Sequence, residues 1–133
     1  ELSTLGKTKI SELKNGKIKT YFLYPKGIGL RKGKYQEIAQ HKTNQENSLH
    51  LVRILLGKSN RSSIEIVALN AGALLYISEK EKTLKAGVEK ALGYIYSGEA
   101  IKQLEKLIIT SKGYIKKLNR YIKMASEDNE KNN

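Results

Sequence analysis

Apolar and polar positions change their period along this chain near residue 43. Before it, two runs alternate with the period of a β-strand, and Asn15-Gly16 stands between them. Such a pair favours a type I′ turn, because both central residues take positive φ, so the pattern predicts a β-hairpin. The second predicted strand has one face with Ile18, Thr20, Phe22 and Tyr24 and another with Lys17, Lys19, Tyr21 and Leu23.

The segments after the hairpin are predicted to be a connection and then helices. Pro25, the single proline, ends the second strand because it lacks an N–H for the ladder. Residues 26–42 form a connection rich in glycine and lysine. Apolar residues then recur at helical spacing between polar starts and glycine stops, which predicts about five helices. Their segments are 43–57, 59–78, 83–98, 99–113 and 114–125, followed by a polar tail, 126–133, that is predicted to be disordered.

The second of these helices is the most apolar part of the chain, yet it carries Asn70 and Gly72 near its centre. Ser62 and Glu65 have the spacing of a capping box, which predicts the start of this helix. The first helix is predicted to be capped by Thr43 or Asn44. Residues 64–78 are apolar almost all round, and such a helix needs cover on every side. Two strands and four short helices cover it poorly, so we expect a larger sheet outside this sequence to pack on it.

Composition limits the class of protein and its partners. The chain has 133 residues, about one domain, and a formal net charge of +12. That charge suggests nucleic acid, an anionic membrane surface or a phosphate-rich ligand. The absence of cysteine excludes disulfides and thiolate metal sites and permits an intracellular location. We expect a cytoplasmic protein without a membrane span or signal peptide, and a first residue other than Met suggests a processed, trimmed or fragmentary chain.

Two glycine patterns resemble nucleotide-binding motifs but fail on spacing. The stretch "LLGKSN" looks like the end of a P-loop, but Val52 stands where that motif needs a glycine five residues before Gly57. We interpret Gly57 as a helix C-cap. The stretch "GIGLRKG" has glycines one residue away from the dinucleotide-binding spacing, and no strand–helix junction spans it. Neither pattern predicts a cofactor site.

Histidines and cations give two further candidates. His41 and His50 lack a carboxylate pair or a third ligand nearby, so a metal site there is not expected. On the last helix, a stripe of cations fits a nucleic-acid or membrane surface, but also an ordinary solvated face. Because no aromatic is expected among these cations to stack a base, we favour the solvated face. The stripe consists of Lys116, Lys117, Arg120 and Lys123.

Several local patterns follow one another in a specific order: "ELSTLGKTKISELKNGKIKTYFLYPKGIGL", "NSLHLVRILLGK" and "ALNAGALLYISEK", followed by "LKAGVEKALGYIYSGEAIKQLEKLI". In this order the stretches resemble the C-terminal part of the anthranilate phosphoribosyltransferase family. They include the connection with Pro25, Gly29 and Leu30 in the family's order and cover roughly residues 1–110. The resemblance implies an α/β fold in which residues 1–112 belong to the catalytic domain. Residues 113–125 would be an extra basic helix, and 126–133 a disordered tail.

The resemblance also implies roles within the apolar helix. In such enzymes the corresponding helix lies against a central sheet and neighbouring helices. Gly72, with Ala71 and Ala73, would then permit close approach of another backbone. Asn70 would be a buried amide with satisfied hydrogen bonds, because an unpaired one costs about 1–3 kcal/mol. We therefore expect a structural role for Asn70.

The activity implied by the resemblance is phosphoribosyl transfer from phosphoribosyl pyrophosphate to anthranilate, with release of pyrophosphate, in tryptophan biosynthesis. The family holds Mg²⁺ with an Asp-Glu pair followed by Ser, which corresponds to Glu1 and Ser3 of "ELS" here, with the aspartate expected just before residue 1. Hard oxygen ligands suit this ion. The resemblance places the phosphoribosyl-gripping glycines, a "KHGNR"-like loop, the anthranilate-binding arginine and the dimerising helical domain upstream.

We therefore expect this chain to be the C-terminal part of a homodimeric transferase and to be inactive by itself. Two alternatives remain open on the sequence. One is a free-standing basic module for RNA or DNA; the other is a structural subunit that completes a separately encoded partner. If the chain is part of the transferase, its charge of +12 is expected to give only weak, non-specific nucleic-acid binding.

Overall fold

The fold is a two-stranded hairpin followed by a layered set of helices. A computed structural model describes residues 1–130. The hairpin and the five longer helices confirm the predicted α/β pattern. The elements are β1 Thr8–Lys14, β2 Lys17–Leu23, a 3-10 helix Pro25–Ile28, α1 Tyr35–Ile38, α2 Asn44–Leu55, α3 Arg61–Ile77, α4 Leu84–Tyr96, α5 Glu99–Thr110 and α6 Ile115–Glu130.

The hairpin has the predicted turn. Strands β1 and β2 are antiparallel, and Lys14 opposite Lys17 closes the ladder. Asn15 and Gly16 have φ of 51° and 72°, as a type I′ turn requires. Leu23 is buried, whereas Ile18 on the opposite face is 74% exposed. The more apolar face of β2 is therefore the solvent-facing one in this chain.

The helix starts follow side-chain caps, one of them at a different residue from that predicted. Thr43 caps α2 in a capping box with Glu46. The predicted box at Ser62 and Glu65 is wrong, because the Asn60 side chain accepts the Ser63 N–H at 2.9 Å and starts α3 two residues earlier. Glu65 lies inside the helix, where it binds other groups.

Helices α3 and α4 touch backbone to backbone. A Cβ added at Gly72 would lie 2.5 Å from the Val88 nitrogen and 2.7 Å from the Gly87 carbonyl carbon. Gly87 faces Gly72 in the same way, so two glycines form the crossing point. The close approach expected at Gly72 is confirmed, and the backbone that approaches is that of α4.

The core consists of three apolar clusters along the helices. The first joins the hairpin and the 3-10 segment to α3 and α4 through Leu23, Leu69 and Val88. The second lies between α2, α3 and α4. The third packs α6 against α2 and α5, and its buried members are Val52, Ile101, Leu118 and Ala125.

Helix α6 continues further than predicted. The sequence pattern predicts its end at residue 125, but the helix runs to Glu130. No glycine or proline interrupts it there, and the Ser126 hydroxyl donates to the Ile122 carbonyl at 3.1 Å. Residues 126–130 are therefore helical and not a disordered tail. The remainder of that tail, residues 131–133, lies outside the described residues.

Candidate functional site

Asn70 fastens the N-terminal segment to α3. Its Oδ1 accepts the Leu2 N–H at 2.9 Å, and its Nδ2 donates to the Leu2 carbonyl at 2.9 Å and to the Ile66 carbonyl at 3.0 Å. The partly buried amide therefore makes three hydrogen bonds, as the structural interpretation of Asn70 expected. Because Leu2 adjoins residue 1, Asn70 also holds the backbone that carries Glu1.

The rest of this segment is held by short-range and cross-chain bonds. The Ser3 N–H donates to the Thr8 hydroxyl at 3.1 Å, and the Ser3 hydroxyl accepts the Leu5 N–H at 3.1 Å. Thr4 is fully buried, and its carbonyl accepts the Gly33 N–H at 2.9 Å. Residues 1–5 thus have a defined path between β1, the connection and α3.

Glu1 is one of the residues that line a groove of about 830 Å³ between the hairpin and α3. The Glu1 side chain is exposed. In the same groove, the Glu12 carboxylate accepts hydrogen bonds from the Tyr21 hydroxyl at 3.2 Å and from the Tyr76 hydroxyl. Glu1, by contrast, makes no hydrogen bond or ion pair through its carboxylate with the side chains of residues 1–130 that the structure describes. Its oxygens are therefore accessible to a ligand.

The two tyrosines are poor acids in this setting. Burial, and then the charge of Glu12, raises the pKa of the Tyr21 hydroxyl above its ordinary value. The hydrogen bond to Glu12 is the largest cause that raises the pKa of Tyr76. Both phenols therefore stay protonated near neutral pH and serve as donors to Glu12. The sequence patterns did not reveal this cluster, because its members lie 9 and 64 residues from Glu12.

The described side chains provide only part of a metal site. Within them, no three His, Asp or Glu residues form a group that could hold a metal ion. Glu1 offers one hard carboxylate. Mg²⁺ commonly takes one or two protein carboxylates and completes its shell with water and substrate phosphates. Glu1 therefore fits as a single ligand of such an ion, whereas the Ser3 hydroxyl is used within the segment.

His41 and His50 contact each other, and His50 also contacts the start of α3. The rings of His41 and His50 are 4.8 Å apart, edge to face. Nε2 of His50 lies 3.1 Å from the Ser63 hydroxyl, which itself donates to the Glu37 carbonyl. Burial lowers the pKa of His50, so its neutral form is favoured. These contacts link α2 to the start of α3.

The glycine of "LLGKSN" ends a helix. Gly57 follows α2 with φ of 68°, and its N–H donates to the Ile54 carbonyl. The C-cap interpretation of Gly57 is confirmed.

Cations of α6 line a second groove, of about 540 Å³, against the N-terminal part of α2. Lys116, Lys117 and Arg120 lie in it, whereas Lys123 is 3.8 Å from Glu127. Tyr114 and Tyr121 line the same groove, so the expectation that no aromatic accompanies the cations is wrong. The signal was present in the sequence, since positions 114, 117 and 121 are spaced by three and four residues and share a helix face.

Removing the Asn70 amide is expected to loosen the N-terminal segment. Asn70→Ala leaves the Leu2 N–H and carbonyl without their protein partner, which should lower the free energy of unfolding by about 1–3 kcal/mol. Hydrogen exchange at the Leu2 amide should become faster, and chemical denaturation gives the change in stability. A matched control is Asn44→Ala on the α2 surface. Unchanged exchange at Leu2 in Asn70→Ala would show that Asn70 does not hold the segment.

Most of this chain is similar in sequence to known proteins. The family described as "Glycosyl transferase family, a/b domain" matches residues 1–101. A protein of Bacillus licheniformis called anthranilate phosphoribosyltransferase is 41% identical over 107 residues, 80% of this chain and 31% of that protein. Proteins of the same name from Vesicomyosocius okutanii and Halorhodospira halophila are 39% and 35% identical over 85% and 84% of this chain. The matched part of this chain corresponds to 31–33% of the length of these curated relatives, about a third.

Among the helices of residues 1–130, none has the length and apolar character that a membrane crossing requires.

Proposed function

Because this chain belongs to the glycosyl transferase family with an a/b domain, we propose that it forms the C-terminal part of an anthranilate phosphoribosyltransferase. The observation that carries the proposal is the set of relatives with this name, at 35–41% identity over 80–85% of the chain. The reaction transfers phosphoribosyl from phosphoribosyl pyrophosphate to anthranilate and releases pyrophosphate. It belongs to tryptophan biosynthesis. In this reaction the amine of anthranilate attacks the anomeric carbon as the bond to pyrophosphate breaks.

Glu1 is proposed to hold Mg²⁺ in the whole enzyme. The ion would offset the negative charge that grows on the departing pyrophosphate. Three features of this chain support Glu1 in that role: its exposure, its place in the lining of the groove, and the Asn70 bonds that fix Leu2 beside it. The contribution of Glu1 is to keep one negative oxygen at a defined position. The remaining ligands would come from water, substrate and other parts of the enzyme.

This chain is proposed to be catalytically incomplete without the rest of the enzyme. Several large apolar side chains are more than two-thirds exposed along the hairpin and the end of α3, which supports a surface covered by the rest of the α/β domain. They are Leu13, Ile18, Leu74 and Ile77. We further propose a cytoplasmic homodimer for the whole enzyme, on the basis of the family resemblance.

The test is an activity assay on the full open reading frame that contains these residues. We expect anthranilate fluorescence to fall when phosphoribosyl pyrophosphate and Mg²⁺ are both present. Residues 1–133 alone should leave the fluorescence unchanged. A folded full-length protein without turnover would contradict the proposed reaction, and turnover by residues 1–133 alone would contradict their proposed incompleteness.

A further inference from the structure

We propose that the groove between α2 and α6 binds single-stranded nucleic acid without sequence preference. This groove, the α2–α6 groove, is lined by three cations and two tyrosines of the C-terminal segment and by polar side chains from the N-terminal part of α2. It shares no lining residue with the groove of Glu1. Tyr114 and the α6 cations also follow residues 1–101, which match the family, so the inference is independent of the proposed transferase activity.

The cations of the groove are available to an anion. Lys116, Lys117 and Arg120 are exposed, and none is ion-paired with a carboxylate among the side chains that the structure describes. By contrast, Lys85, Lys90 and Lys102 on α4 and α5 each face a glutamate. Three accessible cations that line one groove can each contact a phosphate of a nucleic-acid backbone.

The tyrosines add a contact that a simple charged face lacks. Tyr114 is 71% exposed, so its ring is accessible to a planar ligand. Tyr121 lines the groove while part of its ring packs on the third core cluster, which holds its position. Aromatic rings between cations stack unpaired bases and tolerate every base, since each has a π-face.

The N-terminal part of α2 supplies a polar wall. Asn44, Gln45 and Ser48 line it, and side-chain amides can donate hydrogen bonds to phosphate oxygens. The capping box of α2 uses the Thr43 and Glu46 N–H groups, so the proposal does not rest on these two backbone amides. Affinity in the groove therefore rests on the side chains of α6 and α2.

The other anionic partners fit less well. A membrane-surface helix needs an apolar face to insert, but the apolar face of α6 is already used: Leu118 and Ala125 are buried against α2 and α5. A duplex presents phosphates but keeps its bases stacked, so it would leave Tyr114 unused. The combination of cations and an accessible ring favours a single strand.

The test measures binding of a fluorescent oligothymidine of about 12 nucleotides, within the usual site size of about 4–16, by anisotropy at several salt concentrations. The groove variant replaces Lys116, Lys117 and Arg120 by glutamine. The matched control replaces Lys32, Lys80 and Lys82 by glutamine and so removes the same charge. These lysines are exposed, do not line the groove and are far from α6 in the sequence. The groove variant should reduce the slope of log affinity against log salt by about 2, since each lost phosphate contact removes about 0.7. The control should retain most of the slope.

A second variant tests the stacking contact. Tyr114→Ala keeps every charge and is expected to weaken binding by about fivefold to a hundredfold, with the salt slope unchanged. Duplex DNA of the same length should bind less tightly, and Tyr114→Ala should not change its affinity. Equal loss in the groove and control variants, no effect of Tyr114→Ala, or tighter binding to duplex or to phosphatidylserine vesicles would each overturn the proposal.

Discussion

Replacing Gly72 by alanine is expected to lower the free energy of unfolding by about 1–3 kcal/mol, the usual cost of overpacking a core. The new Cβ would lie 2.5 Å from the Val88 nitrogen, and this neighbour is backbone that cannot rotate away. Helices α3 and α4 would have to separate, which also disturbs Leu69 and Val88 in the first core cluster. Urea denaturation followed by circular dichroism measures the effect.

Two other glycines provide the comparison for Gly72→Ala. Gly87→Ala meets the same crossing from the α4 side and should destabilise in the same way. At Gly93, also in α4, an added Cβ would meet no described atom within 4 Å, so Gly93→Ala should be neutral or stabilise by up to about 1 kcal/mol. Equal effects at Gly72 and Gly93 would mean that the crossing does not depend on the absence of a side chain.

In the full-length enzyme, Glu1→Gln is expected to lower turnover by about a hundredfold to a thousandfold, the range found when one contact that stabilises developing charge is lost. Glutamine keeps the shape of the side chain but removes its charge. If Glu1 holds the metal as proposed, the charge that it would offset through the ion grows in the transition state, so kcat should fall more than substrate binding weakens. Steady-state kinetics at several Mg²⁺ concentrations measure both quantities.

The control for Glu1→Gln is Glu127→Gln on α6. The Glu127 side chain is 58% exposed, and within residues 1–130 its ion pair is with Lys123 at 3.8 Å, so its loss should leave turnover unchanged. Circular dichroism should show intact helices in both variants, since Glu1 lies outside every helix and strand of the described chain. Undiminished turnover of Glu1→Gln, with unchanged Mg²⁺ dependence, would remove Glu1 from the metal site.

Local features of the fold could be predicted because neighbouring residues decide them. Asn15-Gly16 adopts positive φ in the hairpin turn, Gly57 ends α2, and Thr43 caps α2 as its position indicated. Thr83, the first residue of the predicted segment 83–98, caps α4. Each depends on the conformational preference of one or two residues or on a hydrogen bond within three positions. The family could be predicted for a related reason, since the order of several short patterns is itself a property of the sequence.

Choices between competing local signals were less predictable. Asn60 and Ser62 are both suitable caps, and α3 starts after Asn60. Glu65 does not bind back to the helix start, because its carboxylate accepts the Arg31 N–H at 3.1 Å and pairs with Arg61. Arg31 lies 34 residues away, so a distant backbone group decided how a local motif is used.

The sequence by itself determined the hairpin, the succession of helices and the family, and the family resemblance predicts Glu1 as a metal ligand. The tertiary structure alone decided what Asn70 and Gly72 do inside an apolar helix. Asn70 binds Leu2, 68 residues away, and Gly72 meets Val88 and Gly87 of the next helix. Hydrogen bonds and close packing act over a few ångströms of space, while sequence patterns report neighbours along the chain. Partners brought together only by folding therefore remain hidden until the helices are placed.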